Sequence, residues 1–254
     1  MKIANLSAVV TGGASGLGLA CARMLSARGV AVVIADSSDE NGAKAARDLG
    51  PDARYVRADV RDAGQMAAAF DTAVQLAPLR ALIHCAGVNR PLRLVEKDGA
   101  PGSLADFETI VNINLIGTFN CLRLAAARMA KNEPREGDRG VCVLTSSIAA
   151  YEGQIGQIGY SATKAGVVGM TLVAARDLAR RQIRVCSIAP GIFDTPLLAQ
   201  LPEDVRAALA ASVPHPPRLG APDEFALMAL HILENPMLNG ETIRLDGALR
   251  MAAR

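Results

Sequence analysis

This chain of 254 residues has no block of like charge, no CxxC pair, no histidine cluster and no low-complexity linker. Each absence excludes something. The formal net charge is +2 with the cations dispersed, so the electrostatic footprint of a nucleic-acid partner is missing. The longest strongly apolar stretches are of strand length or carry charges, which argues against a transmembrane helix and a membrane partner. Residues 1–6 run straight into a strand pattern without the regions of a signal peptide, and a cytoplasmic location of bacterial type is expected. The five cysteines are an odd number, and Cys21, Cys85, Cys121, Cys142 and Cys186 each sit in an apolar run. They read as reduced, buried thiols. His84, His215 and His231 are too scattered for a metal site, so no metal is expected.

What is present is apolar residue in quantity. Half the residues, 50%, are hydrophobic, enough to bury a large core. Short apolar runs at 6–10, 30–35, 53–58, 79–85, 141–145, 183–188 and 242–245 read as strands. Several are continuously apolar, as expected when helices cover both faces of a sheet. Amphipathic patterns at 16–28, 39–49, 62–76, 104–131, 160–181 and 222–234 read as helices between them. This alternation predicts α/β architecture, a doubly wound, seven-stranded parallel sheet with helices on both faces. No repeat divides the chain, so 1–254 is expected to be one domain. Residues 89–102, 131–140 and 190–218 read as loops, the last a proline-rich candidate lid over a substrate.

The first strand runs into Thr11-Gly12-Gly13-Ala14-Ser15-Gly16-Leu17-Gly18 and then a helix. Gly12, Gly16 and Gly18 permit a tight turn and close approach to a pyrophosphate, and the helix start supplies oriented N–H groups. Asp36 ends the second strand, 18 residues beyond Gly18. A carboxylate there accepts from both hydroxyls of an adenosine ribose and repels a 2′-phosphate, which favours NAD over NADP. Ser37 and Ser38 follow, with no arginine beside them. Asp59 and Val60 end the third strand and would flank an adenine. Cys85, Ala86 and Gly87 end the fourth, with small side chains beside which a dinucleotide can lie.

Tyr160 and Lys164 lie four residues apart on one face of a helix. A free tyrosine ionises near pH ~10, and a nearby ammonium lowers that value toward use as an acid/base. Ser147 lies 13 residues earlier at a strand end, where its hydroxyl could hold a substrate oxygen or merely cap a turn. Asn114 sits in an apolar helix and needs a partner. It could hold a water linked to Lys164 or satisfy backbone at a kink. Backbone at Ile192 and the Thr195 hydroxyl could fix a nicotinamide carboxamide.

Taken in order and spacing, residues 11–18, Asp59, 85–87, Asn114, Ser147, Tyr160, Lys164 and 190–195 resemble the short-chain dehydrogenase/reductase family over the whole chain. Gly117-Thr118-Phe119-Asn120, Glu152-Gly153-Gln154, Gly169-Met170-Thr171-Leu172 and Ala175-Arg176-Asp177-Leu178 are similar to its type-2 3-hydroxyacyl-CoA dehydrogenase branch, which also oxidises hydroxysteroids. The resemblance implies a Rossmann fold, NAD as cofactor, an acyl-CoA or related alcohol as substrate, and a homotetramer. It implies that Ser15, Leu17, Asp36, Asp59, Val60, Cys85, Tyr160, Lys164 and Phe193 contact cofactor. Ser147, Gln157 and Tyr160 would meet substrate, with Tyr160 as acid/base. Two positions depart from it. His84 stands where the family often has Asn, and Asp194 adds a carboxylate near the candidate lid where the branch commonly has Gly. A 3-oxoacyl-carrier-protein reductase, a hydroxysteroid or other alcohol dehydrogenase, and a catalytically idle NAD-binding subunit are the alternatives.

Overall fold

The computed structural model describes residues 1–196 and 198–253, so Leu197, within the candidate lid, and Arg254 lie outside the described residues. Seven parallel strands are β1 (Ser7–Thr11), β2 (Ala31–Asp36), β3 (Ala53–Arg57), β4 (Leu79–His84), β5 (Gly140–Thr145), β6 (Ile183–Pro190) and β7 (Thr242–Leu245). Their order is β3-β2-β1-β4-β5-β6-β7. The alternation of side chains sorts each strand onto two cores. Val10, Val32 and Ile34 face a layer of α1 (Gly16–Ser26) and α8 (Pro222–Glu234), with α2 (Asp39–Leu49) at its edge. Val9, Val33 and Leu82 face α3 (Ala63–Leu76), α5 (Gly117–Met129) and α6 (Ile158–Leu178). Burial on both faces explains why these strands are continuously apolar. Phe70, Phe225 and Met129 are fully buried, and a side chain of that size stabilises by about 1.5–3 kcal/mol when it leaves water.

Two of the arginines within the strands, Arg80 and Arg184, are buried. Arg184 pairs with Asp138 at 3.0 Å and donates to the carbonyls of Ile232, Leu233 and Leu238. It therefore ties β6 to the last turn of α8, which leaves neither charge unpaired. Helix starts follow local chemistry. Asp62 accepts from Gly64 and Gln65 backbone N–H at the head of α3, and Ser103 accepts from Asp106 N–H at the head of α4 (Leu104–Val111). Pro222 opens α8, and Glu224 reaches back to the Ala221 N–H at 2.7 Å.

Two elements differ from the sequence reading. The helix expected over 104–131 is split by a π turn at Asn112–Ile116 between α4 and α5. The whole segment Leu104–Met129 is long and apolar enough by composition to cross a membrane, and half of its most apolar stretch is buried against the protein. The stretch 190–218 also contains α7 (Glu203–Ala211). That helix buries none of its residues and lies within a proline-rich stretch that reads as a loop. Its alanines and the acidic pair Glu203 and Asp204 in its first turn favour it locally.

Candidate active site

Strand order reverses between β1 and β4, and a cleft of about 550 Å³ opens there at the carboxyl ends of the strands. Gly12, Ser15, Gly16, Leu17, Gly18, Asp36, Asp59, Val60, Cys85, Ala86, Gly87 and Thr195 all line it. The glycine loop is packed too closely for side chains. Gly12 has φ +62°, and a Cβ there would stand 2.8 Å from the Ala86 nitrogen. A Cβ on Gly18 would overlap the Gly12 carbonyl. The loop thus lays bare backbone against the β4 end, with the first N–H groups of α1 behind it. Ser15, the residue preceding α1, spends its hydroxyl on no cap.

Asp36 is held in place from two sides. Its Oδ2 accepts from Ala14 N–H at 3.1 Å and its Oδ1 from Ser38 N–H at 3.0 Å. The sequence reading found no arginine beside Ser37, but the turn after β3 brings Arg61 into the same cleft. Arg61 is engaged by Asp59, with Nη2 donating to Oδ2 at 2.6 Å and Nε at 3.0 Å. The guanidinium holds the Asp59 carboxyl below the usual carboxylate range.

Tyr160 and Lys164 project from the first turns of α6, with the Lys164 Nζ 5.6 Å from the Tyr160 ring centre. Lys164 is buried and donates to the Thr145 carbonyl at 2.7 Å. Burial lowers its pKa to about 8, with Cys85 opposing. Burial, rather than the lysine, governs the phenol here. Burial raises the Tyr160 pKa, and the opposing pull comes from a hydrogen bond to the Ser147 hydroxyl. Ser147 also accepts from Ala149 N–H at 3.1 Å, capping the short turn that follows β5. Serine, tyrosine and lysine therefore meet, as their spacing suggested, but the ammonium bonds to backbone.

The remaining candidate positions have these partners. The Asn114 side chain is spent, with Oδ1 accepting from Val88 N–H at 2.8 Å and Nδ2 donating to the Val88 carbonyl and to Thr163. This is the backbone-satisfying alternative, at a π turn rather than a simple kink. Phe193 turns its ring into the core, edge-on to Phe225 at 6.3 Å, instead of toward the cleft. The Ile192 carbonyl accepts from Gly220 N–H at 2.9 Å, so both residues anchor the segment after β6 while Thr195 reaches the cleft. Asp194 pairs with Arg206 of α7 at 3.1 Å, pinning that helix down. Gln157 accepts from Gln154 N–H at 3.2 Å within its own loop at the head of α6. Cys85 is half-buried rather than buried and lines the cleft, its thiol drawn down by a hydrogen bond from Cys21. Arg61, Val88 and Ile113 are among the cleft residues the sequence reading missed, and Arg61 is the charged one. Its signal was its position two residues beyond Asp59, a spacing at which an arginine can fold back on the carboxylate.

Residues 7–206 match the sequence model of the family described as short chain dehydrogenase. The chain is 49% identical over 252 residues to the 3-hydroxyacyl-CoA dehydrogenase type-2 of Drosophila melanogaster, covering 98% of this chain and 99% of that one. It is 47% identical over 253 residues to the Rattus norvegicus protein of the same name, covering 98% and 97%. The crystal structure of 3-hydroxyacyl-CoA dehydrogenase type-2 from Mycobacterium avium superimposes with a TM-score of 0.96 at 46% identity, each chain covered completely. The order of the seven strands agrees with these matches, and this chain belongs to the short chain dehydrogenase family.

Proposed function

We propose that this protein oxidises the secondary alcohol of a 3-hydroxyacyl-CoA to the ketone of a 3-oxoacyl-CoA, with NAD as hydride acceptor. The observation that carries it is the convergence of Ser147, Tyr160 and Lys164 behind the Gly87 wall of the glycine-loop cleft, in a chain about half identical to proteins named for that activity. The cleft fits the cofactor because its glycine loop leaves no room for side chains and the start of α1 would face a pyrophosphate there. When bound, the nicotinamide supplies the acceptor for the hydride. Ser147 holds the substrate hydroxyl. Tyr160 takes the hydroxyl proton onto its phenolic oxygen. Lys164 faces the ribose and, once its bond to the Thr145 carbonyl is shared, lends its charge to the phenolate. Asp36 accepts from the adenosine ribose and favours NAD over NADP. Asn114 acts by keeping the Gly87–Val88 wall of the cleft in register with α6.

We read residues 1–254 as one cytoplasmic unit, with 190–218 covering the substrate side. A homotetramer accounts for the outer face of α5 and α6. Phe119 and Val173 are 56% and 64% exposed there, beside a groove of about 830 Å³ with Gly166 and Gly169 on its floor. Small residues and large exposed apolar ones on a single face are what a packed helix pair of a second copy covers. The test is NADH formation, followed by absorbance, with a series of 3-hydroxyacyl-CoA chain lengths, branched acyl-CoAs and hydroxysteroids. Turnover of at least one 3-hydroxyacyl-CoA above the steroids supports the reading. No turnover of any thioester overturns it.

A further inference from the structure

We propose that His84 is a positioning residue whose neutral ring, protonated on Nε2, directs the Thr118 hydroxyl onto the Asn114 carbonyl and so holds the π turn against the cofactor wall and Lys164. His84 is the last residue of β4 and is 1% exposed. Both ring nitrogens have partners. Nδ1 lies 2.8 Å from Thr11 Oγ1, and Nε2 lies 2.9 Å from Thr118 Oγ1. The same Thr118 oxygen is 2.5 Å from the Asn114 carbonyl.

The protons can be assigned from this set. A carbonyl only accepts, so the single proton of Thr118 lies on the bond to Asn114. Nε2 must then donate to Thr118. Nδ1 is left bare and accepts the Thr11 proton, while Thr11 Oγ1 accepts from Ala86 N–H at 3.3 Å. Every donor in the chain then has one acceptor. Burial and the Lys164 charge both oppose a cationic ring and press its pKa to about 3.

The ends of this chain are functional surfaces. Thr11 precedes the glycine loop, Ala86 lines the cleft, and Asn114 lies in the π turn whose i→i+5 bonding breaks the regular helical ladder. A Cβ placed on Gly87 would be 3.2 Å from Asn114 Oδ1 and 3.5 Å from Lys164 Nζ. Asn114 bonds both backbone groups of Val88 at 2.8 Å and the hydroxyl of Thr163, the neighbour of Lys164, so a shift of the π turn is passed to the cofactor wall and to the lysine's turn of helix. One imidazole links the floor of the dinucleotide cleft to the proton-transfer side. An asparagine side chain at this position is shorter and has no second ring nitrogen in line with Thr118.

The inference rests on the functional reading only for its kinetic consequence, and the ring measurement is independent of it. The full-length protein labelled with ¹⁵N-histidine is studied by long-range ¹H–¹⁵N spectra, the His84 signals being those missing from His84→Asn. The expected result is a neutral ring with its proton on Nε2, unchanged from about pH 6 to 9, across the range where free histidine titrates. Thr118→Val should move the proton to Nδ1, because only Thr11 remains as an acceptor. The same variant should lower kcat about tenfold, the equivalent of ~1.4 kcal/mol in the barrier, with KM for NAD within about twofold, and Thr118→Ser should restore both. A wild-type ring protonated on Nδ1 or on both nitrogens overturns the proposal, whether or not the variants fold. So does a Thr118→Val protein that keeps wild-type kcat. A protein inactive on every thioester counts against the functional reading alone, and the ring spectra still decide this one.

Discussion

Replacing Asp36 should collapse the proposed preference for NAD over NADP. The carboxylate faces the ribose end of the cleft and is locked by Ala14 and Ser38 N–H, so it cannot swing away from a 2′-phosphate. At about 4 Å, two unit charges repel by ~1 kcal/mol in bulk water and ~4 kcal/mol at an effective dielectric of 20. The cleft is open to solvent, so the lower half of that range applies, about 1–2 kcal/mol. Loss of a charge-assisted bond to the ribose hydroxyl adds about 1.5 kcal/mol. The sum, about 3 kcal/mol, is a discrimination on the order of a hundredfold. Arg61 does not offset this, because Asp59 already holds its guanidinium. Titration of both cofactors by fluorescence should show that gap in the wild type. Asp36→Ala should shrink it to about tenfold or less, and adding Ser37→Arg should narrow it further. Equal affinities in the wild type would refute the reasoning. An unchanged gap in Asp36→Ala would do the same.

Three further outcomes follow from particular contacts. Lys164 has a folded pKa lowered to about 8 from 10.5, so between those values the unfolded chain binds a proton that the folded one does not. Stability of the cofactor-free protein should therefore gain from this group as pH rises through 8 toward 10.5, and urea unfolding should show the gain absent from Lys164→Met. Phe193→Leu should leave NAD affinity within about threefold while lowering the melting temperature, because the ring packs on Phe225 and loses about 1 kcal/mol in a shape-changing core swap. A loss of affinity with no change in melting would place the ring in the cleft. If the proposed tetramer uses this face, Val173→Glu should give smaller species than the wild type by light scattering, since it sets a charge on the exposed apolar face of α6; an unchanged assembly would move the interface elsewhere.

The strands were legible because burial on both faces writes continuous apolar runs, and all seven lie within two residues of where the pattern put them. The glycine loop and the tyrosine–lysine pair were legible because their spacing is set by local backbone geometry. What escaped depends on contacts distant in sequence. The π turn at Asn112–Ile116 looks like uninterrupted helix, since Val88 and Thr163 supply the partners that satisfy Asn114. Phe193 sits two residues from Thr195, and its inward turn is fixed by Gly220 and Phe225. The helix α7 buries none of its residues and lies within a proline-rich stretch that reads as a loop. The phenol's raised pKa reflects burial, a property of the folded chain that spacing does not report.

Turnover by Tyr160→Phe tests the central claim most directly. The substitution keeps the ring and removes only the hydroxyl that meets Ser147. With NAD and the best 3-hydroxyacyl-CoA, kcat should fall by ~10²–10⁴-fold, the usual worth of positioned acid/base catalysis. NAD affinity should stay within about twofold, because the glycine loop and Asp36 are untouched. A variant that retains more than about a tenth of wild-type turnover, beyond that range, would mean that another group moves the proton and that the phenol is not the acid/base of this site.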